Sequence, residues 1–198
     1  MGRLLRELAP NCGVYHVTCR GNDKQQIFNC SSDYQKFIEI LSHTKEKRPF
    51  KLYHYALMPN HYHLHIECTA ESKLPTIMKI INHRYSMFHK TKYHRFGRLW
   101  EDRYWSELIK DEYHAAMCGP YIELNPVRAG FVSKPDDWQW SSYESYLNKT
   151  RSPEDIDPHY FLDGNYENEL REYLAIIKAF SLVPGTKPLF CTRYQNTP

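Results

Sequence analysis

Phe50-Lys-Leu-Tyr-His-Tyr-Ala-Leu-Met58, then Pro59-Asn60, then His61-Tyr-His-Leu-His-Ile-Glu-Cys68 is the stretch that decides the fold. Two runs rich in β-formers flank a two-residue break, so the segment reads as an antiparallel hairpin. Upstream, Gly13-Val-Tyr-His-Val-Thr-Cys19 reads as a strand, ended by the turn-forming cluster Arg20-Gly-Asn-Asp23. Between that strand and the hairpin, Ser31, Ser32 and Asp33 offer capping oxygens, and Tyr34, Phe37, Ile38 and Leu41 recur at helical spacing, with Pro49 as the exit. Downstream, Leu74, Ile77, Met78, Ile81, Tyr85 and Phe88 form one apolar stripe of a second helix. Arg103–Ile109 is a fourth strand, closed by Lys110-Asp111. Strand, helix, strand, strand, helix, strand is the order of a ferredoxin-like α+β domain with an antiparallel sheet. This domain is expected over residues 1–135. A Trp/Tyr-rich, acidic extension follows over 136–198, with a loop at Pro153–Gly164 and a helix at Glu167–Phe180.

The charge balance is uneven. The 198 residues carry 26 Lys+Arg against 23 Asp+Glu, a net +3. Residues 1–135 hold +7 of formal charge and 136–198 hold −4, so a basic domain precedes an acidic extension. From Lys79 to Arg98 there are six basic residues and no carboxylate. Mean hydropathy is −0.69 and no apolar run approaches 18 residues, which excludes a transmembrane helix. The start, MGRLLRELAPNCG, places acid and proline where a secretory signal needs an apolar core. Six dispersed cysteines without a C-x-x-C pair point away from a zinc knuckle or a disulfide framework. A protein of a reducing cytoplasm is expected.

Strand alternation puts His61, His63 and His65 on one face and Tyr62, Leu64 and Ile66 on the other. Imidazoles at i and i+2 stand roughly 6–7 Å apart along a strand, close enough for two rings to converge on one cation. The plainer alternative is a solvent-facing strand. Cys68 falls on the Tyr62 side, so a structural zinc is disfavoured. Two imidazoles plus an oxygen ligand suit Mg²⁺ or Mn²⁺ serving a phosphate.

A second motif is Pro120-Tyr-Ile-Glu-Leu-Asn-Pro-Val-Arg-Ala-Gly130. Pro120 reads as the first turn of a short helix, Asn125 is biased out of it by Pro126, and Gly130 ends the segment. Tyr121 and Asn125 are then i and i+4 on one face. The phenol suits a phosphate and the carboxamide oxygen suits a metal. The alternative is a half-buried tyrosine beside a capping asparagine.

Together, Met58-Pro-Asn-His-Tyr-His-Leu-His65 and Tyr121–Gly130 resemble the single-tyrosine HUH transposases, and among them the REP-associated tyrosine transposases. Tyr15-His-Val-Thr-Cys-Arg-Gly-Asn22 with Ile27-Phe28, Gly97-Arg-Leu-Trp100 with Arg103-Tyr104, and Trp138-Gln-Trp-Ser-Ser-Tyr143 extend the match over roughly residues 13–147. The resemblance implies a metal pair His61/His63, with Asn125 as third ligand, His65 as a supporting or alternative ligand, and Tyr121 as nucleophile. It implies cleavage and rejoining of hairpin-bearing single-stranded DNA through a 5′-phosphotyrosine link, by a monomer or homodimer. Gly119-Pro120 departs from the unbroken helix expected before the nucleophile.

Arg84, Lys90, Lys92, Arg95 and Arg98 alternate with Tyr85, Phe88, Tyr93, Phe96 and Trp100, as suits phosphates tracked by cations and unpaired bases stacked on rings. Arg20, Arg103, Lys24, Arg3 and Arg6 are further candidate DNA contacts. Trp138 and Trp140 are expected to pin the extension onto the domain. A domesticated, non-cleaving binder of structured single strands is the alternative function. A hydrolase using a water nucleophile at His61/His63 is a third reading, but it leaves Tyr121 without a role.

Overall fold

The computed structural model describes residues 13–148, 156–157 and 166–181. Arg3 and Arg6, and all of the 153–164 loop except 156–157, lie outside the described residues. The elements are β1 (Gly13–Arg20), α1 (Ser31–Lys47), β2 (Phe50–Met58), β3 (His61–Cys68), α2 (Leu74–Tyr93) and β4 (Trp105–Leu108). After the sheet come α3 (Glu112–Glu123), α4 (Asn125–Arg128), α5 (Tyr143–Asn148) and α6 (Tyr166–Ser181). The four strands form one antiparallel sheet in the order β2-β3-β1-β4. This is the ferredoxin-like α+β arrangement expected, with later helices appended.

One face of the sheet takes the apolar half of each strand. Val17, Cys19, Tyr62, Leu64 and Ile66 are buried there with Phe37 and Leu41 of α1 and Ile77, Met78, Ile81 and Tyr85 of α2. Each such large side chain removed from water contributes about 1.5–3 kcal/mol. The Phe37 and Tyr62 rings meet at 4.7 Å between centroids, and the Tyr85 hydroxyl donates to the Ile27 carbonyl at 2.6 Å. The buried Tyr85 hydroxyl is thereby paired.

β2 does not keep simple alternation. Leu52 pairs with Ile66, yet His54 pairs with His65, so Tyr53 is an extra residue in the ladder. Phe50 and Leu52 precede this bulge and Tyr55 and Leu57 follow it, and all four lie in the helix-covered core. The bulge shifts the phase by one. His54 and Ala56 therefore face the other way, opposite His65 and His63.

The second face carries His16, Thr18, His54, His63 and His65, and α3 covers part of it. α3 begins much earlier than Pro120. Asp111 caps it by accepting from the His114 amide at 2.7 Å, and the helix runs through Gly119 and Pro120 to Glu123. Burial of Ala115, Cys118, Tyr121 and Ile122 against Ala56 and Ile109 outweighs the cost of an interior proline, about 3 kcal/mol. The extension is tied down as expected: Trp138 Nε1 donates to the Leu57 carbonyl at 3.2 Å, and Trp140 stacks on Tyr34 at 4.7 Å. Among the described residues no helix is long and apolar enough to cross a membrane.

Candidate active site

His61 opens β3 directly after the Pro59-Asn60 turn. Its Nδ1 lies 2.6 Å from the Asn60 side-chain oxygen. That oxygen only accepts, so Nδ1 carries the hydrogen and Nε2 keeps its lone pair. His63, two residues on, is 2 % exposed, and its ring centroid is 5.0 Å from that of His61. His63 Nδ1 is 3.0 Å from Nε2 of His16 on β1, and the two rings stack at 5.2 Å. His63 Nε2 is buried and has no hydrogen-bond partner among the described residues. A buried, unpaired ring nitrogen is costly unless something else occupies it.

The electrostatics agree with a donor role. Burial, reinforced by the Arg20 charge, holds His61 down at about 3, and burial with His61, His16 and Arg20 nearby holds His63 well below its ordinary value. Burial and then His114 hold His16 at about 3. All three imidazoles are neutral at pH 7 and offer lone pairs rather than positive charge. Among the described residues no group of three His, Cys, Asp or Glu side chains is placed to hold a metal, so a third ligand would be of another type. Asn125 carries an oxygen of that kind. Its amide nitrogen donates to the Tyr121 and Ile122 carbonyls at 2.8 and 3.3 Å, leaving the carboxamide oxygen as an acceptor.

Tyr121 is brought onto this site by α3. Its ring stands edge-on to His63 at 6.0 Å and to His16 at 5.7 Å. The Arg128 guanidinium carbon lies 5.3 Å over the Tyr121 ring, a cation–π contact. His16 and Arg128 were absent from the sequence-derived site. Their signal was present, since His16 sits in Tyr15–Asn22 and Arg128 in Tyr121–Gly130. His65 is in different company: fully buried, it stacks on His54 at 5.5 Å, and His54 Nδ1 donates to Glu123 Oε1 at 3.0 Å.

The basic residues divide. Arg20, largely buried, ends β1 opposite His61. The 95–101 segment runs past the same end of the sheet: the Asn22 amide donates to the Leu99 carbonyl and the Glu101 amide to the Arg20 carbonyl, at 2.8 and 3.0 Å. Lys90, Arg98, Trp100 and Arg103, with Lys79 and Tyr104, line a groove of about 830 Å³. Lys90, Arg95, Phe96 and Arg98 line an adjoining hollow of about 370 Å³. Arg84 is exposed on α2. Phe96 is fully exposed beside Gly97, whose φ of +93° favours glycine. Arg95 donates to the Gln25 side chain at 2.8 Å. Lys92 turns inward and forms a 2.6 Å ion pair with buried Asp33, also donating to Ser32 and to the Cys30 sulfur. Trp100 donates to the Asn82 carbonyl at 3.0 Å and packs edge-on to Tyr62.

Comparison with known proteins gives a consistent picture. A family model described as “Transposase IS200 like” matches residues 11–125, more than half of the chain. A REP-associated tyrosine transposase of Escherichia coli K12 is 26% identical over 124 residues, covering 62% of this chain and 70% of that protein. A Haemophilus influenzae Rd protein named for the same group is 26% identical over 160 residues, covering 72% and 86%. A solved structure of a REP-associated tyrosine transposase bound to a REP hairpin shares the fold, with a TM-score of 0.60 at 20% identity over 73% of this chain and 85% of that one.

Proposed function

Since the chain belongs to the IS200-like transposase family, we propose that it cleaves and rejoins hairpin-bearing single-stranded DNA, with Tyr121 as the nucleophile and His61, His63 and Asn125 as ligands of a Mg²⁺ or Mn²⁺ ion. The observation that carries this reading is the Tyr121 ring 6.0 Å from His63, whose buried Nε2 has no hydrogen-bond partner among the described residues. When bound, the cation supplies positive charge that polarises the scissile phosphate and offsets charge developing on phosphorus.

The remaining work falls to the chain. Tyr121 Oη loses its proton to solvent and forms the new bond to phosphorus; the phosphorus–O3′ bond breaks and a 3′-hydroxyl leaves. The 5′-phosphotyrosine link conserves the bond energy, so a second 3′-hydroxyl can reverse the step without an energy-rich cofactor. A free phenol ionises only near pH 10, and the Arg128 guanidinium stands over the ring as the neighbouring positive charge. Asn125, by donating to the Tyr121 backbone carbonyl, and α3 hold this residue beside the strand, so that attack on bound DNA is effectively intramolecular. Asn60 and His16 orient the two imidazoles from behind. His65, held against His54, supports β3 from the next position along this face.

In this reading Lys90, Arg95, Arg98 and Arg103 track phosphates leading to His61, and Phe96 stacks on an unpaired base. Arg84 and Arg20 add positive charge along the same path. Trp100 and Lys92 shape that surface from within rather than reaching out from it. The protein acts as monomer or homodimer in a bacterial cytosol. The decisive test is incubation with a single-stranded hairpin oligonucleotide and Mn²⁺, followed by a denaturing gel. A covalent protein–DNA band that Tyr121→Phe abolishes is the expected result. Cleavage that survives Tyr121→Phe overturns it, and tight binding without any cleavage returns the protein to the class of non-cleaving hairpin binders.

A further inference from the structure

Glu123 is fully buried one half-turn beyond Tyr121. Its two oxygens are taken up by three different parts of the chain. Oε1 accepts from the Ser142 hydroxyl at 2.6 Å and from His54 Nδ1 at 3.0 Å, and Oε2 accepts from the Tyr173 hydroxyl of α6 at 2.7 Å. Tyr173 also stacks on His54 at 5.5 Å and meets Tyr146 at 5.4 Å. One turn before Glu123, Gly119 completes the fit. A Cβ there would lie 2.6 Å from His54 Nε2 and 2.9 Å from the Tyr173 oxygen, distances that real side chains do not tolerate. The glycine that departs from the expected unbroken helix is therefore where His54 of β2 and Tyr173 of α6 both press against α3. Just past α3, Leu124 packs with Ile177 of α6, joined by Leu174 and Val127.

We propose that α6 of the C-terminal extension is a positioning element for the nucleophile, and that the Tyr173 hydroxyl, through Glu123, fixes α3 against the sheet at the spacing Tyr121 needs. The proposal rests on Tyr121 being the nucleophile. Tyr121 lies between Gly119 and Glu123 in the helix but on another side, so a clamp on those two residues sets its reach without touching DNA. In-line attack is sensitive to displacements near 1 Å, which cost up to about 100-fold in rate. Burial beside Glu123 holds the Tyr173 phenol well above its ordinary pKa, so it stays a hydrogen-bond donor throughout the working range. Purely apolar packing of α6 would leave the buried Glu123 oxygen unpaired. The hydroxyl therefore makes the contact directional as well as adhesive.

Tyr173→Phe in the full chain tests this, since it keeps both ring stacks and removes only the hydroxyl. Single-turnover adduct formation at saturating hairpin DNA with Mn²⁺ should slow about tenfold, with DNA Kd changed less than about twofold. Independently of activity, hydrogen exchange of the α3 amides should speed several-fold while β1 and β3 keep their protection. Ile177→Val, a one-methyl change against Leu124, should shift both readouts in the same direction by a smaller factor, and covers the case in which Tyr173→Phe folds poorly. Unchanged α3 exchange in both variants overturns the proposal. So does a parallel loss of rate, affinity and sheet protection, which would mark α6 as general support. If the wild-type protein forms no Tyr121-dependent adduct, the functional reading fails, and the exchange measurement still decides whether the clamp exists.

Discussion

The histidine face and the basic groove look alike as sequence, each being a run of one residue type at short spacing, and each divides when folded. On β3, His61 and His63 present a lone pair and an unpaired buried nitrogen, whereas His65 is packed against His54 and the Glu123 cluster. In the groove, Arg98 and Phe96 reach outward, whereas Lys92 and Trp100 are committed to Asp33 and to the Asn82 carbonyl. Residue type nominates a candidate, but the neighbours brought from distant elements decide whether it is available. In the first region that selection is made by a sheet ladder, and in the second by one carboxylate and one carbonyl.

The sharpest way to break the comparison is at β3. His63→Ala should abolish Mn²⁺-dependent adduct formation, a loss of at least about 1000-fold on the denaturing gel. His65→Gln should instead leave the metal dependence intact and lower stability by about 1–3 kcal/mol, read from urea unfolding. Equal rate losses in both would erase the distinction. In the groove, Phe96→Ala should weaken binding of a hairpin with an unpaired flank about tenfold, and leave a blunt duplex unaffected, by fluorescence anisotropy. Arg98→Ala should weaken the same hairpin about three- to tenfold and lower the salt slope of log K by about one, while Lys92→Ala leaves that slope unchanged. The smallest effect concerns Cys30, exposed and held near 7 by hydrogen bonds from Ser32 and then Lys92 and Tyr93. Iodoacetamide labelling of Cys30 should rise with pH around a midpoint near 7, since the thiolate is the reacting form. Lys92→Ala should move that midpoint up towards the free-thiol value of about 8.5, followed by peptide mass mapping.

The hairpin and the helix-covered core were legible because their signals are local. Pro59-Asn60 delimits β2 and β3, and the stripes on α1 and α2 repeat at the helical period. Tyr121 is nominated on a different ground, namely its place in an ordered set of motifs. What escaped the sequence depended on contacts across the chain. Pro120 read as a helix start because local rules penalise it in an interior; the cap at Asp111 and burial against Ala56 override that penalty. Lys92 read as a DNA contact because its partner, Asp33, lies 59 residues away in sequence. Trp100 read as a stacking platform, and the Asn82 carbonyl that takes up its indole N–H lies 18 residues away in sequence. Arg128 and His16 were visible within matched motifs, but only the ring geometry sets them beside Tyr121.

The extra residue in β2 has a consequence of its own. Phe50 and Leu52 count even and Tyr55 and Leu57 count odd, yet all four enter the same layer. The strand is thus written in two frames, and Tyr53 is the spacer between them. Deleting it would leave a strand in plain alternation, with Leu52, Tyr55 and Leu57 still entering the helix-covered layer and His54 still facing away from it. A residue gained or lost elsewhere in the strand would instead turn one side of it over. What the spacer adds is therefore local: one more side chain on the histidine face, whose hydroxyl reaches Glu67 and whose ring stands against His65.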